Sequence, residues 1–301
     1  MRRVAWIVAC VLLFMSVLGL TMHTQSLESE IKALEKQLVA SKRPEQSTCK
    51  VRGDWLPNTT TTGTVNGRQY LVHVPENFVS YEYYPLIMFY PGKGASAGAA
   101  QATFGLDKLP AIVVYPYPTA NTEGVLAWQG APYSSPSDDV AFTAAVLDRL
   151  QDDLCVDRTK VYAAGFSNGG GFAALLSCKL PERFAAYAVI AGAMYAPAGQ
   201  CVPSKPAPLI SIHGDKDSIV PYDGSLLRKL PSIDSWTASR AKLNGCATPT
   251  TVNEGINSIV TIWNQCTDNA TVQNVRIQGG GHSWGQITNQ ALWQFLSRFS
   301  L

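Results

Sequence analysis

Residues 162–175, YAAGFSNGGGFAAL, set an apolar run, a serine between glycines and a second apolar run end to end. The first run reads as a buried strand, the glycine-rich middle as a sharp corner and the remainder as a helix. A chain that turns from strand to helix within a few residues, burying both, needs a covered sheet with helices packed against it. Gly165-Phe166-Ser167-Asn168-Gly169 fits the G-x-S-x-G pattern at such a corner. The glycines let neighbouring backbones approach closely, and the serine is left strained and projecting from the C-terminal edge of the sheet. The helix that follows turns its free N–H groups toward any negative charge developing there. A serine hydroxyl is a weak nucleophile until a base takes its proton, so the base must come from elsewhere in the chain.

The surrounding sequence supplies the expected scaffold. Apolar or alternating runs at RQYLVHVP, YPLIMFYP, AIVVYPYP, KVYAAGF, FAAYAVIAG, PLISIHG and NVRIQGGG are bounded by Gly, Pro and Asn, as strands are. Helix-period segments alternate with them: SDDVAFTAAVLDRLQDDL with Ser137 as N-cap, GGGFAALLSCKL, IDSWTASRAKLNG and TNQALWQFLSRF. The alternation predicts an α/β fold with a mostly parallel central sheet and helices on both faces.

In this architecture the base and its orienting acid follow the nucleophile in the order Ser, Asp or Glu, His. The chain has four histidines. His23 borders the N-terminal apolar run, His73 lies in an early strand, and His213 ends the run LISIHG, where a structural role is expected. His282, in GGGHSW after the last strand, is the candidate base. For the acid, HGDKDSIVPYDG offers Asp215, Asp217 and Asp223. Asp217, one turn of loop beyond the strand, has room to reach the imidazole and fix its tautomer, and Asp215 is the alternative. Asp138 and Asp139 open a helix, where negative charge is favourable in any case.

The N-terminus is of a different kind. Arg2 and Arg3 precede an uncharged, mostly apolar run over 4–22, long enough to span a hydrocarbon core. Residues 1–25 are therefore expected to be an export signal, retained as a membrane anchor or cleaved as a signal peptide. Cys10 reads as part of that run. Leu27, Ile31, Leu34 and Leu38 then recur at helical spacing, so 26–47 reads as a short stalk that spaces the domain from the membrane or supports weak dimerisation. Pro44 ends the pattern, and 48–301 is the expected catalytic domain.

Six further cysteines follow an export signal, which argues for disulfides in an oxidising, extracytoplasmic compartment; no Cys/His spacing suggests a metal. Among the connectivities open to six cysteines, the preferred set joins Cys246 to Cys266 across an expected hairpin and Cys178 to Cys201, leaving Cys49 with Cys155. The formal net charge of +2 gives no reason to expect nucleic acid as a partner.

Taken together, PLIMFYPGKG, AW, DDVAF, LCVDRTKVYAAGFSNGGGFAALLSC, HGDKDSIVPY and GGGHSW resemble the secreted esterases of carbohydrate esterase family one, the feruloyl and acetyl-xylan esterases, and the related polyhydroxybutyrate-depolymerase-like proteins. The resemblance runs from about residue 67 to 299. It implies an α/β-hydrolase fold with Ser167 as nucleophile, Asp217 as acid and His282 as base. It also implies an oxyanion hole from the backbone N–H groups of Lys93 and Asn168, and no metal or organic cofactor. Many relatives carry His-Gly where this chain has Pro91-Gly92; the proline removes a donor only at its own position. Trp128 and Trp284 are the candidate substrate contacts. The expected activity is hydrolysis of a carbohydrate- or lipid-linked carboxylic ester through an acyl-enzyme. The alternatives are a serine acyltransferase of mycolyltransferase type and a membrane-tethered protein that binds without catalysis.

Overall fold

Strand-forming segments with two apolar faces need cover on both sides, and the chain provides it. The computed structural model describes residues 49–196, 198–254, 257–284 and 289–301. The apolar run at 4–22, with Cys10, and the 26–47 segment lie outside the described residues. Twelve strands follow in chain order: β1 (Thr59–Val65), β2 (Arg68–Val74), β3 (Tyr84–Tyr90), β4 (Ile112–Pro116), β5 (Thr119–Ala120), β6 (Leu126–Ala127), β7 (Val156–Phe166), β8 (Ala186–Ile190), β9 (Leu209–Gly214), β10 (Thr250–Glu254), β11 (Ser258–Trp263) and β12 (Val272–Ile277). The α-helices are α1 (Ala97–Phe104), α2 (Asp139–Asp153), α3 (Asn168–Lys179), α4 (Ile233–Leu243) and α5 (Asn289–Leu296).

Ten strands form one sheet in the order β1-β2-β4-β3-β7-β8-β9-β12-β11-β10, and β5 and β6 pair as a small separate ribbon. The run β4-β3-β7-β8-β9-β12 is parallel throughout, and antiparallel partners close it at each end. This is the α/β-hydrolase arrangement. Alternation along β3 explains the two-sided core: Leu86, Met88 and Tyr90 face the layer of α2, α3 and α4, while Ile87 and Phe89 face α1 and α5. The chain leaves β3 in one direction to form β4 and returns on the other side to form β7. The strand order therefore reverses between β3 and β7, the place where α/β sheets open a crevice at their carboxyl ends.

Two details differ from expectation. Asp138, not Ser137, caps α2, accepting the Ala141 N–H at 2.9 Å. The threonine-rich segment after Asn58 forms the edge strand β1, folded onto β2 through a tight turn at Asn66 and Gly67, both at positive φ. The disulfides are Cys49–Cys155, Cys178–Cys201 and Cys246–Cys266, the last closing the base of the β10–β11 hairpin. Among the described residues, no helix is long and apolar enough to cross a membrane.

Candidate active site

β7 delivers Ser167 to the carboxyl edge of the sheet in a conformation with φ 57° and ψ −119°. Hydrogen bonds hold the corner: the Ser167 N–H donates to the Ile190 carbonyl at 2.9 Å, and its own carbonyl accepts from Gly171 and Ala193. The helix can start this close to the sheet because its neighbours lack side chains. A Cβ on Gly169 would lie 2.0 Å from the Tyr90 carbonyl oxygen and 2.5 Å from that of Pro91. The start of α3 is thus seated directly on the end of β3, and Gly92 packs against the Ser167 side chain.

β9 and β12 bring in the other two groups. His282 Nδ1 donates to Asp217 Oδ2 at 2.7 Å, in the tautomer that leaves Nε2 to act as a base. The ring of Phe166, next to Ser167, lies 4.9 Å from the His282 ring, so the imidazole stands beside the elbow. Asp217 is fully buried in its side chain, and its Oδ1 accepts the Ile219 and Val220 N–H groups at 2.8 Å each. Burial works to raise its pKa. Hydrogen bonds from His213, His282 and the Val220 amide outweigh burial and hold the carboxyl well below the usual carboxylate range. Asp217 is thereby an anion suited to orient an imidazole and to stabilise its charged form.

Asp215 has different work. It takes the Arg276 guanidinium at 3.1 Å and the Gly279 N–H at 2.8 Å, pinning the turn that leads to His282. Asp223 is exposed beyond the site. His73 lies on β2 with its Nδ1 3.0 Å from the Thr60 hydroxyl, apart from these groups.

Lys93 and Asn168, the expected oxyanion donors, lie in the loop after β3 and at the start of α3. Asn168 is the first residue of α3, and its amide is one of the free donors of a helix start. Lys93 follows Gly92 in a loop fixed on both sides by Gly94 N–H to Leu126 O and Ala95 N–H to Gly92 O. The Lys93 side chain is exposed and its ammonium sits 4.6 Å from the centre of the Tyr133 ring.

Trp128 corrects an expectation. It is 0 % exposed, stacks on Phe172 at 5.3 Å and meets Tyr90 edge-on, so it does not face a substrate. Its indole N–H donates to the Pro91 carbonyl at 3.0 Å, and its backbone is clamped by the Asn168 side chain through both N–H and C=O. It therefore shapes the loop that carries Lys93. Trp284 is half-buried in an aromatic cluster with Phe89, Phe104 and Phe166, bracing the Phe166 ring beside the elbow. The residue that sequence reasoning placed in a purely structural role is His213, which the fold brings to the same oxygen of Asp217 that holds His282. The His-x-x-x-Asp spacing of HGDKD was the available signal.

Among the described residues, no group of three or more His, Cys, Asp or Glu is arranged to hold a metal ion. No protein-family model matches the chain. Feruloyl esterase B of Piromyces equi is 29% identical over 253 residues, covering 78% of this chain and 46% of that protein. Feruloyl esterase C of Emericella nidulans is 28% identical over 169 residues, covering 54% of this chain and 59% of its own length. The chain thus spans about half the length of these relatives. Among solved structures, an acetyl xylan esterase from Aspergillus awamori superimposes with a TM-score of 0.61 at 16% identity, covering 79% of this chain and 99% of that one. The chain therefore has the α/β-hydrolase fold, and its sequence is similar to those of feruloyl esterases.

Proposed function

We propose that the chain is an extracytoplasmic serine esterase that hydrolyses carboxylic esters through an acyl-enzyme on Ser167. The observation that carries this reading is the Asp217–His282 hydrogen bond beside a serine in a strained strand-to-helix corner. His282 Nε2 takes the Ser167 proton as Oγ attacks the ester carbonyl. The amide N–H groups of Lys93 and Asn168 bind the oxyanion of the tetrahedral intermediate. His282 then gives its proton to the leaving alkoxide, and the ester C–O bond breaks. Water, deprotonated by His282, attacks the acyl-enzyme and releases the acid and free Ser167. The residues alone supply this chemistry.

The names of the relatives favour feruloyl or acetyl groups on a carbohydrate as the ester. Three disulfides favour an oxidising compartment outside the cytoplasm. The apolar N-terminal run makes a membrane-held form the expected state of the full-length chain, one released by detergent and not by high salt.

The test is substitution of the nucleophile combined with an ester panel. Ser167→Ala is expected to lower turnover of p-nitrophenyl acetate by ~10⁶ while the thermal melt stays close to wild type. Retention of more than a few per cent of wild-type turnover would remove Ser167 from its role. On acetyl, feruloyl, hydroxybutyryl and long-chain esters, highest kcat/KM is expected for the feruloyl or acetyl members. Preferential acyl transfer to an added sugar over water would instead make the chain an acyltransferase.

A further inference from the structure

Asp217 Oδ2 has a second imidazole beside it, in addition to that of His282. The oxygen that holds His282 Nδ1 at 2.7 Å also lies 3.1 Å from Nε2 of His213, so two imidazoles share one carboxylate oxygen. The His213 side chain is fully buried, and the same Nε2 lies 2.8 Å from the Val220 carbonyl oxygen. Two acceptors facing one nitrogen require that it carry the hydrogen, which bonds to Val220 O and lies within reach of Asp217 Oδ2. His213 Nδ1 has no partner among the described residues, so nothing there competes for the hydrogen. The turn after β9, closed by Asp217 N–H to Gly214 O, folds the carboxylate back over the strand's last histidine.

We propose that His213 is a positioning residue of the catalytic apparatus: its Nε2–H fixes the Asp217 carboxylate and draws charge from Oδ2, which sets the basicity of His282. The inference rests on the serine-esterase reading above. An anion beside an imidazole favours the imidazolium, and a further donor on that anion weakens the effect. Without His213, Asp217 is freer to rotate and its unshared charge holds the His282 proton to higher pH. The other groups around the pair do not replace this donor. Tyr222 presents its ring edge to His213 at 5.9 Å, with its hydroxyl committed to Asp234. Arg276 lies over Tyr222 and is paired with Asp215, and Lys216 is exposed. Phe166, on the far side of His282, is uncharged.

The test compares full-length wild type with His213→Phe and His213→Gln. It uses pH–rate profiles on p-nitrophenyl acetate and a ¹⁵N-histidine NMR titration, which four histidines keep simple. In His213→Phe, kcat should fall by about tenfold to a hundredfold with KM within about twofold. The acid limb of kcat/KM and the His282 titration should both move up by about half to one pH unit. His213→Gln, whose amide N–H reaches toward the same oxygen, should return both toward wild type. An unmoved His282 titration in the Phe variant, or a Gln variant as impaired as the Phe variant, would make His213 a packing residue only. The wild-type spectrum needs no variant to fold: a hydrogen on Nδ1 of His213 would overturn the proposal outright. Because NMR needs no substrate, a wild type that cleaves no ester would count against the esterase reading while the titration still decides the coupling of His213 to His282.

Discussion

Ser167 holds a backbone conformation that non-glycine residues rarely adopt, a cost of about 1–3 kcal/mol that the surrounding hydrogen bonds must outweigh. Asp217 is the opposite case, a residue whose partners stabilise the fold as well as the site. Its native pKa lies below the unfolded value of about 3.9, so the native state binds fewer protons at low pH. The contribution is fully present above that value and is lost as the pH falls through it toward the native pKa. Asp217→Asn should therefore flatten the fall in Tm between about pH 4 and pH 2, as read by calorimetry, besides impairing turnover; an unchanged slope would show that Asp217 does not supply the acid sensitivity. At this scale much was legible. Asp217 and His282, which the fold joins by a hydrogen bond, were both picked out in the sequence, the choice of Asp217 over Asp215 resting on the family resemblance as well as on chain order. Trp128 was misread because a tryptophan next to a site has the same sequence signature whether it faces substrate or core, and only the clamp by Asn168 shows which. The part of His213 in the site was missed because an apolar strand ending in histidine is adequately explained by packing.

At the scale of elements, the contact between β3 and α3 sets where the proposed oxyanion donors, the Lys93 and Asn168 amides, stand relative to Ser167. Gly169→Ala would place a methyl group 2.0 Å from the Tyr90 carbonyl oxygen, and backbone cannot move aside as a side chain can. Displacing the start of α3 should lower stability by about 1–3 kcal/mol and reduce kcat more than KM, measured by urea melts and steady-state kinetics. A fully active, fully stable Gly169→Ala protein would show that the helix start has freedom to shift. The central strands were legible because both faces are buried, which writes an unbroken apolar run. The edge strands were less so, apart from the hairpin expected between Cys246 and Cys266, which is β10–β11. β1 is mostly exposed and threonine-rich, and β10 and β11 have exposed or half-buried faces, so their strand character lies in β-branched residues and turn signals such as Asn66-Gly67, not in hydrophobicity.

For the whole molecule, the disulfides differ in what they enclose. Cys49 and Cys155 are separated by 106 positions, against 23 for Cys178–Cys201 and 20 for Cys246–Cys266. If a crosslink acts mainly by restricting the unfolded chain, the first should stabilise most, within an expected range of about 2–4 kcal/mol each. Paired Cys→Ser variants compared by denaturant melts should therefore rank Cys49/Cys155 as the largest loss; a larger loss at either short loop would assign the effect to native packing instead. That bond also gives the domain a polarity. Cys155 immediately precedes β7 and Ser167 immediately follows it. Val156 lies opposite Tyr84 and Gly165 opposite Tyr90, so β7 spans six residue steps of β3 at about 3.3 Å each, and its two ends are roughly 20 Å apart. The domain is in effect gripped at one end of β7 and presents Ser167 at the other, so the covalent bond that holds Cys49 is kept clear of the strand-to-helix corner.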